Sequence, residues 1–283
     1  MLKVLYIFID GIGLRPPSVD NPVHSGTCPA LCKLIERNAV PIDACLGVKG
    51  LPQSATGQTT MFTGINAAQH AGRHCEGFPG PTLRRVLEHN NLFMELSRKG
   101  LRCRFADAYM IDTIDDLTPR RFKSVTTVMA LTEPQTIATR DDLLENQAVS
   151  HDITRAHLIE KGHAVPLVEP HQAAEHLIEV ARAHDFTLFE FFLTDLAGHS
   201  RSYETACSTL SMLDKFIDVV AAHCKATNML LIITSDHGNI EDMSTRGHTL
   251  NQVPLLAIGP KSDMIITNAT SLTQITPRIL RVF

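Results

Sequence analysis

Apolar and polar positions alternate between two periods along this chain. Residues 2–9 are apolar at every position except Lys3, as expected of a strand buried on both faces. Residues 14–26 are rich in Pro, Asn, Asp and Gly and read as a loop, and Cys28 to Asn38 then carries Leu31, Leu34 and Ile35 on one helical face. A short strand is predicted over 41–47, a short helix from about Ala55, a Gly/Pro-punctuated loop over 65–82, broken helix over 83–99 and a strand over 101–106. From 110 to 168 the pattern weakens. Charged and polar residues dominate there, and the stretch reads either as a small inserted lid or as irregular surface structure of the same domain.

Alternation resumes with a helix over His171–His184, a strand over 186–193, a long amphipathic helix from Ser202 to Thr227 and a strand over Asn228–Thr234. Val253 to Gly259 is a further strand, and the last twenty residues read as strand, loop and helix. Strands separated by helices predict an α/β fold, a mostly parallel sheet with helices on both faces. No internal repeat interrupts it, so residues 1–283 are expected to form one domain, with at most a small lid.

Composition narrows the function classes. Net charge is −4 and the pI about 6.4, with no Lys/Arg stripe, which gives no footprint for nucleic acid. No segment approaches the roughly 20 apolar residues of a membrane span. The N-terminal apolar run ends in Asp10-Gly11 and not in a small-residue cleavage site. Seven cysteines at irregular spacing, with Cys28 and Cys32 four apart and no second such pair, read as reduced thiols. A cytoplasmic protein is the expectation; oligomeric state is left open.

The chemistry concentrates where strands end. Asp10 follows the first strand, Asp195 the strand over 186–193, and Asp236-His237 the strand over 228–234. In open α/β sheets ligands bind at the carboxyl ends of strands. Asp and His together offer a hard oxygen and an imidazole, a donor set suited to Zn²⁺ or Mn²⁺. His199 lies four residues after Asp195, so one helical turn can bring both to one cation. His248 follows the third strand in a loop. Each Asp can also be an ordinary turn or cap residue. Ser54 falls at a predicted helix start, where it is either an N-cap or a group placed in the anion-favouring field of the helix. Arg73 and His74, in the loop after it, can meet an anionic substrate or stand free in solvent.

Five ordered motifs carry a resemblance: Phe8-Ile9-Asp10-Gly11, Ser54-x-x-Gly57 with Gly64, Asp195-x-x-x-His199, Ser235-Asp236-His237-Gly238-Asn239, and Gly247-His248-Thr249. With them the chain resembles the alkaline phosphatase superfamily, in the metalloenzyme branch that holds cofactor-independent phosphoglycerate mutase and phosphopentomutase. The resemblance implies an alkaline-phosphatase-like fold and two divalent metal ions, Mn²⁺ or Zn²⁺. Asp10, Ser54, Asp236 and His237 would hold one, and Asp195, His199 and His248 the other. It implies a small phosphorylated substrate and a phosphoserine intermediate at Ser54, with Thr56 as a competing nucleophile and candidate substrate contact. A free serine hydroxyl is a poor nucleophile at neutral pH, and a bound cation makes it competent. If water takes the phosphoryl group the enzyme is a phosphatase or phosphodiesterase; if a hydroxyl of retained substrate takes it, a phosphomutase. The two named mutases carry large substrate-gripping inserts, whereas about 140 residues separate Ser54 from Asp195 here. A mutase must keep water from its intermediate, so hydrolysis ranks first and phosphomutase second. A non-catalytic metal-binding relative is the third reading, and the full ligand set argues against it. Ser54-Ala-Thr-Gly-Gln lacks the pattern that sulfatases process.

Overall fold

The computed structural model describes residues 2–283. Six strands form one sheet in the order β2-β6-β5-β1-β4-β3. They are β1 (Lys3–Ile9), β2 (Ala39–Ile42), β3 (Cys103–Phe105), β4 (Phe186–Phe191), β5 (Met229–Thr234) and β6 (Val253–Ile258). Among the described residues thirteen α-helices surround them: α1 (Pro29–Asn38), α2 (Ser54–Thr63), α3 (Ala67–Ala71), α4 (Pro81–His89), α5 (Leu92–Arg98), α6 (Val125–Leu131), α7 (Arg140–Leu144), α8 (Ala156–Glu160), α9 (Pro170–Ala183), α10 (Leu193–Ser200), α11 (Tyr203–Ala226), α12 (Ser262–Ile266) and α13 (Ile275–Val282). β1 pairs in parallel with β4 on one side and β5 on the other, and β6 alone runs against its neighbours. The sheet is therefore mostly parallel, as the alternation predicts.

The period of two explains the layers. In β1, Val4, Tyr6 and Phe8 face the apolar layer built with α2, α4, α5, α6, α12 and α13. Leu5, Ile7 and Ile9 face the opposite layer, filled by α1, α9 and α11. β5 divides in the same way, Leu230 and Ile232 to the first layer, Leu231 and Ile233 to the second. Helices on both sides are what a strand apolar at consecutive positions requires.

Four local readings change. The strand expected over 41–47 is β2 at Ala39–Ile42, because the Asp43 carboxylate accepts the N–H groups of Cys45 and Leu46 and turns the chain. The expected loop over 65–82 contains α3, whose N-terminus Asn66 caps by accepting from Gln69 N. The strand predicted in the last twenty residues does not form. α12 and α13 occupy that stretch, and Ile275, Ile279 and Val282 pack at helical spacing on the first layer. Asp195 lies not on a strand end but in the first turn of α10, four residues past the end of β4.

Residues 110–168 contribute to both layers. Val125, Val128, Met129 and Ile137 join the layer of Tyr6 and Phe62; Val149, Ile153 and Val168 join the other. Single bridges from Asp107 to Val149 and from Ala108 to Ala138 continue the sheet beyond β3.

Phe186 locks β4 to the first layer, its ring 6.4 Å from Tyr6 and 6.1 Å from Phe93 in edge-on contact. Phe186→Ala is expected to destabilise the protein by about 3–5 kcal/mol, read as a lower urea midpoint with unchanged slope; a shift under about 1 kcal/mol would contradict this packing.

Candidate metal centre

The strand order β5-β1-β4 sets the carboxyl ends of three parallel neighbours side by side. Asp10 follows β1, Asp236-His237 follows β5, and α10 returns Asp195 from beyond β4. His237 Nε2 stands 3.3 Å from Asp10 Oδ1 and 3.5 Å from Asp236 Oδ2. Asp195 spans two imidazoles, Oδ2 at 3.3 Å from His199 Nε2 and Oδ1 at 3.4 Å from His248 Nε2. The two histidines bring their Nε2 atoms within 3.2 Å of each other. The rings of His237 and His248 stack at 3.7 Å, joining the two groups. All six Asp and His candidates thus meet at one place.

Ser54 is the first residue of α2 and not its cap; Gln53 holds the cap position with no side-chain hydrogen bond. Ser54 Oγ lies 2.9 Å from His237 Nε2, at the end of a ten-residue helix whose first N–H groups favour an anion. Thr56 is fully buried, its hydroxyl donating to Gln53 O at 3.1 Å and accepting from Cys75 N at 3.3 Å. On the following loop Arg73 is exposed. His74 Nε2 engages Val48 O at 3.2 Å.

The donors fit a cation. Asp10, Asp236 and His237 offer ligand atoms within 4.8 Å of one another, as do Asp195, His237 and His248. Asp10 Oδ1 is buried without a hydrogen-bond partner. Among the described residues no Lys or Arg pairs with Asp10, Asp195 or Asp236. Burial, and then the charges of Asp236, Asp195 and Glu190, hold the Asp10 carboxyl well above the usual range. Burial lowers the His237 pKa, favouring the neutral imidazole that a metal needs. At His248 burial also disfavours the cation, but the hydrogen bond and charge of Asp195 outweigh it and the pKa rises. Burial opposes ionisation of Asp195 in turn, yet His248, His237 and Asn239 bring it to about 2. A divalent ion at each cluster would supply the missing counter-charge.

Three supporting residues were given no role in the sequence reading, although Asn239 stood in one of its motifs. Gln58 Nε2 donates to Asp10 Oδ2 and to Asp236 Oδ2, both at 3.1 Å. Its only sequence signal is its place one helical turn after Ser54. Asn239 Nδ2 donates to Asp195 Oδ1 at 2.7 Å. Glu241 is a buried hub, accepting from Gly13 N at 2.8 Å, Asn239 N at 2.8 Å, Thr249 Oγ1 at 2.6 Å and Asn251 Nδ2 at 2.9 Å. It ties the β1, β5 and His248 loops together. Close approach explains the glycine of the serine motif: a Cβ on Gly57 would stand 2.8 Å from Asp236 O. A second acid, Glu190, is buried on β4 and accepts from Thr126 Oγ1 at 2.6 Å. Among the described residues no helix is long and apolar enough to cross a membrane.

The sequence matches the Metalloenzyme superfamily over residues 2–283, and the chain belongs to that family. It is 32% identical over 112 residues to the 2,3-bisphosphoglycerate-independent phosphoglycerate mutase of Mycoplasma pneumoniae, a match covering 38% of this chain and 22% of that protein. It is 34% identical over 93 residues to the Yersinia pestis enzyme of the same description, covering 30% and 18%. The matches thus cover about a fifth of the length of these relatives. Among solved structures, alkaline phosphatase from the Antarctic bacterium TAB5 aligns with a TM-score of 0.62 at 15% identity, covering 99% of this chain and 97% of that one. Leishmania mexicana phosphoglycerate mutase aligns with a TM-score of 0.53 at 12% identity, covering 97% and 94%. At such identities the likeness speaks for the fold, which is alkaline-phosphatase-like.

Two outcomes follow from the site's supports. Glu241→Ala strands four hydrogen-bond donors and is expected to cost about 3 kcal/mol or more, whereas Glu241→Gln costs less; equal urea midpoints for wild type and Glu241→Ala would refute the hub. Burial pushes the Glu190 carboxyl from 4.5 up to about 7, the Thr126 hydroxyl opposing and Asp236 adding to it. The folded state therefore holds this proton more tightly than the unfolded chain. Its contribution to stability is lost as pH rises from about 4.5 to about 7. Chemical denaturation of metal-free protein across that window is expected to show a shallower decline for Glu190→Gln than for wild type. Parallel curves would exclude the shift.

Proposed function

We propose that this protein is a divalent-metal-dependent phosphohydrolase, a phosphatase or phosphodiesterase that works through a phosphoserine at Ser54. The observation that carries the reading is the place of Ser54 Oγ, on the first turn of α2 and 2.9 Å from His237 Nε2, beside the clustered carboxylates. Asp10, Ser54, Asp236 and His237 are the residues to hold one cation, and Asp195, His199 and His248 the other. Mixed oxygen and imidazole donors suit Mn²⁺ and Zn²⁺. Bound there, such ions supply neutralisation of phosphoryl charge and activation of the serine hydroxyl.

The chain's own residues account for the remaining steps. Ser54 Oγ gives up its proton to solvent and attacks phosphorus while the bond from phosphorus to the leaving oxygen breaks and that oxygen takes up a proton from solvent; the first N–H groups of α2 would receive the phosphoryl oxygens. Gln58 holds the Asp10 and Asp236 carboxylates apart and oriented. Water then attacks the phosphoserine, releasing phosphate and restoring the hydroxyl. Thr56 serves to position the turn, its hydroxyl being committed to Gln53 O, and exposed Arg73 is the cation available to a substrate phosphate.

Water access favours hydrolysis over the mutase reading. The His199 side chain is 47% exposed at the cluster. Residues 110–168 build the core layers, so we read residues 1–283 as one domain without a separate cover. The phosphoglycerate mutase relatives keep the second reading, a phosphomutase on a sugar phosphate or phosphoglycerate-like acid, in view. Seven unpaired cysteines fit a reducing compartment such as the cytoplasm.

The test is turnover of aryl phosphates and a panel of phosphorylated metabolites by protein loaded with Mn²⁺ or Zn²⁺. Phosphate release is expected, with Ser54→Ala reducing the rate by roughly 10³-fold or more and chelation abolishing it. Positional isomerisation without phosphate release, followed by ³¹P NMR, would instead establish the mutase. Metal binding with neither reaction would leave the non-catalytic reading.

A further inference from the structure

A second group of metal-type donors lies away from the Asp/His cluster, at the surface beside α1. α1 presents Cys32 and Glu36 one turn apart on the same face. The chain preceding α1 folds into a 3₁₀ turn, Pro22–His24, that ends in His24. This turn is firmly held. Buried Asn21 accepts from Val23 N at 3.1 Å, and its amide donates to Arg15 O at 3.0 Å and Pro16 O at 3.2 Å. His24 Nδ1 lies 3.4 Å from Cys32 Sγ, and Glu36 Oε1 lies 3.5 Å from the same sulfur. The three donors stand within 4.8 Å of one another.

We propose that His24, Cys32 and Glu36 form an additional cation site, which takes one zinc-class divalent ion with water in the fourth position. Three arguments support it. The first is distance. With metal–sulfur bonds of about 2.3 Å and metal–nitrogen or –oxygen bonds of about 2.0–2.2 Å, neighbouring donors at a tetrahedral centre stand about 3.6 Å apart. The observed 3.4 and 3.5 Å match that edge. The second is chemistry. A thiol, an imidazole and a carboxylate select a borderline ion such as Zn²⁺ or Co²⁺ over Mg²⁺ or Ca²⁺. The third is access. Glu36 is exposed and forms no ion pair with Lys or Arg among the described residues. A cavity of about 210 Å³ opens beside His24, between Arg15, Pro16 and Ile35.

Binding requires Cys32 to lose its thiol proton to solvent as the sulfur–metal bond forms. The result is a staple between α1 and the 14–26 loop, which leads directly from Asp10. That loop is also tied to the Glu241 region, through Leu14 N to Gln252 O at 2.8 Å and Met243 N to Asp20 O at 2.9 Å. The site is structural and contains none of the residues assigned to phosphoryl transfer.

Cobalt titration of the full chain tests the proposal independently of catalysis. The Asp/His cluster has no sulfur donor, so a near-ultraviolet sulfur-to-cobalt charge-transfer band reports thiolate ligation elsewhere. One equivalent of band is expected, displaced by Zn²⁺. Cys32→Ser abolishes it, and His24→Asn or Glu36→Gln weakens Co²⁺ binding at this site by at least about tenfold. Cys28→Ser and Cys207→Ser leave it intact. Glu36→Gln changes only an exposed helix position, so the fold is retained, and circular dichroism checks each variant. No band at millimolar Co²⁺, or a band that survives Cys32→Ser, would overturn the site. Aryl-phosphate turnover in Cys32→Ser separates this result from the phosphohydrolase reading, because that activity belongs to Ser54 and is expected to persist.

Discussion

The organising constraint of this molecule is negative charge held out of water. Asp10, Asp236 and Glu190 are buried, and Asp195 is largely so. They converge where β1, β4 and β5 end, and no Lys or Arg among the described residues pairs with Asp10, Asp195 or Asp236. Burying an ionised carboxylate without a partner is among the most expensive things a fold can do. The protein alone answers with histidines, with the Gln58 amide, which donates to Asp10 and Asp236 at once, and with the Asn239 amide on Asp195. That is little positive charge for the set, and burial together with the neighbouring carboxylates holds the Asp10 carboxyl well above its usual range. In the function proposed here divalent ions would complete the balance, and the same ligands would then serve both stability and chemistry.

The rest of the structure serves to hold this unfavourable arrangement in place. Glu241 gathers the loops after β1 and β5 and the His248 loop onto one carboxylate. Pro52 O fixes the His248 ring through Nδ1 at 2.7 Å, leaving Nε2 aimed at Asp195. Thr194 Oγ1 donates to Asp10 O at 2.5 Å and so joins the start of α10 to the end of β1. Gly57 lets α2 approach the Asp236 backbone closely enough to carry Ser54 to the cluster. Beneath these contacts both faces of β1 and β5 are packed with apolar side chains. Such a rigid platform can absorb the strain of a charged site.

Much of this was legible in the chain itself. Runs such as Met229–Ile233, short, apolar at consecutive positions and rich in branched side chains, read as strands covered on both faces, and the helices between them follow from apolar spacing. An acid or an Asp-His pair directly after such a run marks a strand end, because polar groups cannot continue into the core. Local signals misled where a short-range hydrogen bond decided the outcome. Asp43 ended β2 early, and Asn66 started α3 inside an apparent loop. Gly259, with φ +103°, gives way to helices where a strand was expected.

The sequence by itself thus determined the α/β class, the donor types and their order along the chain. Period and composition are properties of neighbouring residues, and they need no third dimension to be read. The tertiary structure decided the rest. The order β5-β1-β4 made residues 10, 195 and 236 neighbours, although they lie up to 226 positions apart. The same packing placed Gln58 between two carboxylates, made Glu241 a hub and brought His24 to Cys32. Those contacts join residues with no shared period, and only the closing of the sheet and its helices creates them.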